Sequence, residues 1–174
     1  MKPALDLHVK IKRELPEDTC MFVDLFTGFD KVGAVRKQFG GKSLGVLRKT
    51  RIHLVDSKGY LRVDNDTGDF IICRPYLRSG DEKHFYLDLI HELTHVKQHL
   101  EGRELYDRTY AYVDRPTEIE AYAVAVGEAR RIGMTEEEIV DYLKVEWVSQ
   151  SDFKRMLKTL GVAQEKPKSG KKRS

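Results

Sequence analysis

At 174 residues, the chain suits one compact domain able to bury a real core. Apolar residues make up 40% and charged ones 34%, and the charges nearly cancel at a net +3, an excess too small to point to nucleic acid. No stretch is long and apolar enough to span a bilayer, and Met1 to Lys12 lacks the apolar run of a signal peptide or anchor. Cys20 and Cys73 form no CxxC pair and read as buried thiols of a reduced, cytoplasmic protein.

Leu5, Leu7, Val9 and Ile11 alternate with polar residues, which predicts a strand. Pro16, Glu17 and Asp18 have the composition of a first helical turn, and Met21, Phe22, Leu25, Phe26 and Phe29 follow at mixed helical spacing. Between Arg51 and Pro75 the pattern turns to β. The turn signals Ser57-Lys58-Gly59 and Asn65-Asp66-Thr67-Gly68 separate three apolar stretches, which predicts a three-stranded meander closed by Pro75.

Ser79 and Glu82 predict a capping box for a helix from about Asp81 to Glu101, stopped by Gly102. Pro116 opens the next helix, which should end before Gly133. Thr135 and Glu138 cap a third, through about Trp147. Ser149 or Ser151 caps a last helix to Leu160, with Gly161 after it. Trp147, Met156 and Leu157 read as helix-packing residues. The expected class is α+β: a small antiparallel or mixed sheet packed on one central helix, followed by a helical C-terminal part. Residues 1–163 form the domain, and 164–174 form a basic, disordered tail.

The helix from Asp81 carries His91-Glu92-Leu93-Thr94-His95, an HExxH pattern. Residues four apart share one face of a helix, so two imidazoles can converge on one tetrahedral zinc, with Glu92 reaching a metal-bound water. Phe85, Leu89, Leu93, Val96 and Leu100 form a stripe expected to face the core. His91 and His95 fall opposite, together with His84, Asp88 and Gln98. His99 continues the histidine row, but it is about 12 Å along the axis from His91, too far to share an ion.

The third ligand must then come from another element. Glu118 shares a helix face with Ala121, Tyr122, Ala125 and Ala129, where an unpaired carboxylate would be costly. Glu120, on a more polar face, is the runner-up. Tyr106, Tyr110 and Tyr112 in the connection, and His84, are candidates to contact substrate or an oxyanion.

HELTH followed by ExEA over Phe70 to Ile132 resembles the gluzincin branch of zincin metallopeptidases, in a layout similar to compact ImmA/IrrE-type proteins. The resemblance implies one zinc per chain held by His91, His95 and a glutamate of the following helix, with Glu92 as general base. It also implies an edge strand, here Phe70 to Arg74, that binds an extended peptide or protein substrate. Many gluzincins have an aspartate four residues after the glutamate ligand, where Tyr122 stands here, so another group must orient the ligands. The expected activity is a zinc-dependent hydrolase, a peptidase. One alternative is a zinc-binding regulatory protein of the same fold with little activity. Another is a nucleic-acid-associated zincin using the basic tail, as in SprT-like proteins, although the tail reads more simply as solvated charge.

Overall fold

The computed structural model describes residues 9–163. In chain order it contains β1 (Lys10–Ile11), β2 (Thr19–Met21), α1 (Phe22–Leu25), β3 (Phe26–Thr27), α2 (Gly33–Phe39) and α3 (Ser43–Lys49). Next come β4 (Arg51–Val55), β5 (Leu61–Val63), β6 (Phe70–Cys73), α4 (Arg74–Ser79), α5 (Glu82–Leu100), α6 (Pro116–Arg131), α7 (Glu136–Leu143) and α8 (Gln150–Leu160). The class is α+β, with a mixed sheet against α5 and a helical C-terminal part. Among the described residues no helix is long and apolar enough to cross a membrane. The tail 164–174 and Leu5 to His8 of the expected first strand lie outside the described residues. Of that strand, Lys10–Ile11 pairs antiparallel with β3.

The main sheet has the order β2-β4-β6-β5. The expected meander is therefore wrong, because β6 lies between β4, to which it is parallel, and β5, to which it is antiparallel. The apolarity of the strands explains the order. Phe70, Ile72 and Cys73 are buried, as suits a strand covered on both faces, whereas β5 carries exposed Arg62 and takes the edge. Consequently Phe70 to Arg74 is not the edge strand, and β5 has that position. Pro75 does not close the strand but sits in the first turn of α4, where its missing N–H costs nothing.

Pro16, Glu17 and Asp18 do not start a helix. Thr19–Met21 is drawn into the sheet by pairing with β4. The Arg74 guanidinium fixes the preceding segment by donating to Leu15 O, Glu17 O and Asp18 Oδ1 at 2.6, 3.0 and 2.5 Å. The phenylalanines that follow form the centre of the core. Phe22 meets Phe26, Phe29 and Phe70 edge-on at centroid distances of 5.0, 5.4 and 5.5 Å, a favoured ring geometry.

α5 crosses this core and packs along α6 and against β5. Asp81, not Ser79, caps it, accepting from His84 N at 3.0 Å. Ser79 instead donates to Pro75 O inside α4. Phe85, Leu89, Leu93 and Val96 are buried as expected, but Leu100 is 64% exposed because it lies in the last turn, beyond the packed layer, just before the chain reverses at Gly102. Thr135 and Glu138 form the expected capping box, and Ser149 caps α8. α7 ends at Leu143, short of Trp147, which is 59% exposed and does not pack between helices, whereas Met156 and Leu157 are buried.

Candidate metal centre

α5 and α6 each contribute one inward face to a common point. His91 Nε2 and His95 Nε2 lie 3.1 Å apart. Glu118, brought in by the first turn of α6, places Oε2 3.1 Å from His91 Nε2 and 3.5 Å from His95 Nε2. All three residues are buried, and Glu118 Oε2 makes no hydrogen bond despite these distances. Three donor atoms this close repel one another unless a cation lies between them, a proton in the metal-free protein or a metal ion. Tetrahedral zinc bonds near 2.0–2.1 Å put ligand atoms about 3.3 Å apart, the separation found among these three. The donor set, two imidazoles and a carboxylate, also fits zinc.

Glu92 occupies the adjoining position. Its Oε2 accepts from Val63 N at 3.0 Å, and its Oε1 is 4.0 Å from His91 Nε2. The ligating atoms of His91, Glu92 and His95 all lie within 4.8 Å of one another. Burial pushes the Glu92 carboxyl up to about 8 and the His91 imidazolium down. Burial also opposes ionisation of Glu118, but the adjoining His91 and His95 outweigh it and hold this carboxyl well below the ordinary range. The same pairing overrides desolvation at His95 and raises it to about 9. In the metal-free protein the cluster therefore balances its charge with a proton shared among its members, which a metal ion bound there would displace.

The ligand-orienting group that Tyr122 could not supply comes from α5 itself. Gln98 is fully buried; its Nε2 donates to Thr117 O at 3.0 Å and to Glu120 Oε2 at 2.9 Å. These two bonds turn its Oε1 toward His95 Nδ1 at 2.7 Å. An amide oxygen only accepts, so His95 Nδ1 always carries a proton and Nε2 is the nitrogen that can give up its own and turn a lone pair to the centre. Glu120, the runner-up ligand, is not at the centre. It pairs with Lys97 at 2.9 Å and Arg103 at 2.5 Å, and although its own burial opposes this, these partners and Gln98 lower it to about 2. Its role is to brace Gln98. Sequence reasoning put Gln98 on the histidine face but gave it no role; its position three residues after His95 was the available signal.

The centre opens into a cleft of about 960 Å³. Of the four candidate contacts, Tyr106, Tyr112 and His84 line it, and Tyr110 does not. Tyr110 is 46% exposed, outside the cleft. Tyr106 donates to Val63 O and its ring lies 5.8 Å from that of His95. His84 stands farther along α5, its ring 5.4 Å from Tyr142. Tyr112 shares a hydrogen bond of 2.7 Å with Tyr122, whose ring is 4.2 Å from that of His91. Of these two hydroxyls one must donate to the other, which leaves one proton free to point into the cleft. Arg115, not anticipated from sequence, packs over Tyr106 and Tyr112 and approaches Glu118 Oε1 at 3.8 Å. His99 turns away from the centre, its Nδ1 3.1 Å from Asn65 O.

The edge strand completes the wall. Val63 directs its N–H to Glu92 and its C=O to Tyr106, both away from β6. In an antiparallel pair alternate residues face the same way, so Leu61 presents its N–H and C=O to the cleft side of the sheet. The chain matches no protein-family model, no curated protein and no solved structure.

Proposed function

We propose that the protein is a zinc-dependent hydrolase that cleaves peptide bonds, using one zinc per chain held by His91, His95 and Glu118. The observation that carries this reading is the convergence of His91 Nε2, His95 Nε2 and Glu118 Oε2 at 3.1, 3.1 and 3.5 Å, with Glu92 beside them. Zinc held there supplies Lewis-acid activation of water and of the scissile carbonyl. The residues of the chain do the rest. An extended peptide adds to the open edge of β5 through the backbone of Leu61. Glu92 accepts the proton of the attacking water as its oxygen bonds to the carbonyl carbon. It then delivers that proton to the departing amine as the C–N bond breaks. The free hydroxyl proton of the Tyr112–Tyr122 pair donates to the oxygen that gains charge. The buried free thiols of Cys20 and Cys73 suit a reducing, cytoplasmic setting.

The test is Glu92→Gln, which keeps the shape and the contact with Val63 N but removes the base. Zinc-loaded protein should cleave members of a mixed peptide library, and the variant should bind zinc equally well yet cleave at least about 100-fold more slowly. Equal cleavage by both proteins refutes the assignment of Glu92. A zinc-loaded protein that cleaves nothing favours the regulatory, zinc-binding reading of the same fold.

A further inference from the structure

One end of the cleft has a chemistry that the hydrolytic centre does not use. Asp88 lies on α5 four residues before Glu92, on the same face and about 6 Å away along the axis. Its Oδ2 accepts from Tyr76 OH at 2.5 Å and its Oδ1 from Tyr142 OH at 3.1 Å. Each oxygen thus keeps a free lone pair. The carboxylate is partly accessible and lines the cleft together with Asp141. Among the described residues no lysine or arginine forms an ion pair with it. Lys58 and Lys144 lie at the exposed rim.

Rings wall this pocket. Tyr60 meets Tyr76 edge-on at 5.1 Å and lies tilted against Trp147 at 6.4 Å. Tyr60 and Trp147 are 49% and 59% exposed, and both stand at the cleft. Exposed aromatics around a carboxylate without a lysine or arginine partner are poor design for stability. Burial raises the Asp88 carboxyl to about 6, so the anion is held at a cost at neutral pH. A cation between the rings would remove that cost and gain the attraction of their faces.

We propose that Asp88, with Tyr60, Tyr76, Tyr142 and Trp147, forms a subsite that binds a cationic group of the substrate. This rests on the peptidase reading and names its substrate class: peptides with a positive charge near the scissile bond. An extended peptide advances about 3.4 Å per residue, so the 6 Å offset puts the recognised group within about two residues of the cleaved bond. The cation is either a lysine or arginine side chain or a free amino terminus.

The experiment uses N-acetylated, C-amidated octapeptide pools, randomised except for one position fixed as Lys, Arg or norleucine. A parallel set is left unacetylated. Cleavage is measured with the zinc-loaded protein, and binding with zinc-loaded Glu92→Gln. At one fixed position Lys and Arg pools should be preferred over norleucine by about tenfold or more. Asp88→Asn, which can still accept from one tyrosine, should abolish that preference and act mainly on KM. Trp147→Leu, at an exposed site, should reduce it several-fold. A preference for unacetylated over acetylated pools, whatever the fixed residue, assigns the cation to the amino terminus. Equal treatment of Lys and norleucine together with equal treatment of acetylated and unacetylated pools, an unchanged preference in Asp88→Asn, or no measurable binding or cleavage overturns the subsite. Asp88-dependent binding of Lys pools without cleavage keeps the subsite and rejects the peptidase. Cleavage without a charge preference does the reverse.

Discussion

Replacing Gln98 by leucine isolates the orienting role assigned to it. The substitution keeps the volume and removes three contacts: 2.7 Å to His95 Nδ1, 3.0 Å to Thr117 O and 2.9 Å to Glu120 Oε2. Glu120 retains Lys97 and Arg103, so the loss there is small. The buried Nδ1–H of His95 is left without an acceptor, which costs about 1–3 kcal/mol, and the Thr117 carbonyl loses about 1 kcal/mol more. In the metal-bound protein the imidazole is also free to rotate or change tautomer. Loss of such an orienting partner lowers metal affinity by about 10–100-fold, or about 1.4–2.8 kcal/mol. Competition against a chromogenic zinc chelator reads the affinity, and urea unfolding of the metal-free protein reads the stability. A Gln98→Leu protein that loses stability but binds zinc as tightly as the parent would show that Gln98 only packs, and would refute the tautomer argument.

Tyr112→Phe and Tyr122→Phe should each lower kcat by about 10–100-fold with little change in KM, because the shared hydroxyl proton acts only as charge develops; equal loss in KM would make them binding residues. Phe22→Ala should cost about 3–5 kcal/mol in urea unfolding, since the ring is fully buried against Phe26, Phe29 and Phe70; a loss below about 1 kcal/mol would contradict that packing. Asp88 has a native pKa raised from 3.8 to about 6, mainly by burial, so the native state holds its proton more tightly than the unfolded chain does. Its contribution is therefore fully present below about pH 4 and lost as pH rises through about 6, by up to about 3 kcal/mol. Asp88→Asn should flatten that decline in a series of melts from pH 4 to 7, and an unchanged profile would remove Asp88 as its source.

The sequence was most readable where one residue type decides a local structure. Pro116 and Gly133 bracket α6, Thr135 and Glu138 cap α7, and the HExxH spacing puts His91 and His95 on one face whatever the tertiary context. Glu118 was reachable for the same reason: a carboxylate on an apolar helix face needs a partner, and α5 supplies two histidines. Strand order was not readable in this way. The turns around Gly59 and Gly68 are compatible with a meander, and only the competition between apolar β6 and charged β5 for the covered position sends β6 inward. Ser79 satisfied the spacing of a capping box, yet Asp81, two residues nearer the helix, had the better claim to its first amides. Gln98, Tyr122 and Asp88 depend on partners from other elements, Thr117, Tyr112 and Tyr76 respectively, which no local pattern reveals.

Three side chains from two helices are proposed to form one zinc site. Elemental mass spectrometry of purified protein, supplied with zinc and then desalted, tests it most directly. About one zinc per chain is expected in the parent and in Glu120→Gln, and a small fraction of that in His95→Ala and Glu118→Ala. A parent protein that retains no zinc, or a Glu118→Ala protein that retains a full equivalent, would contradict it.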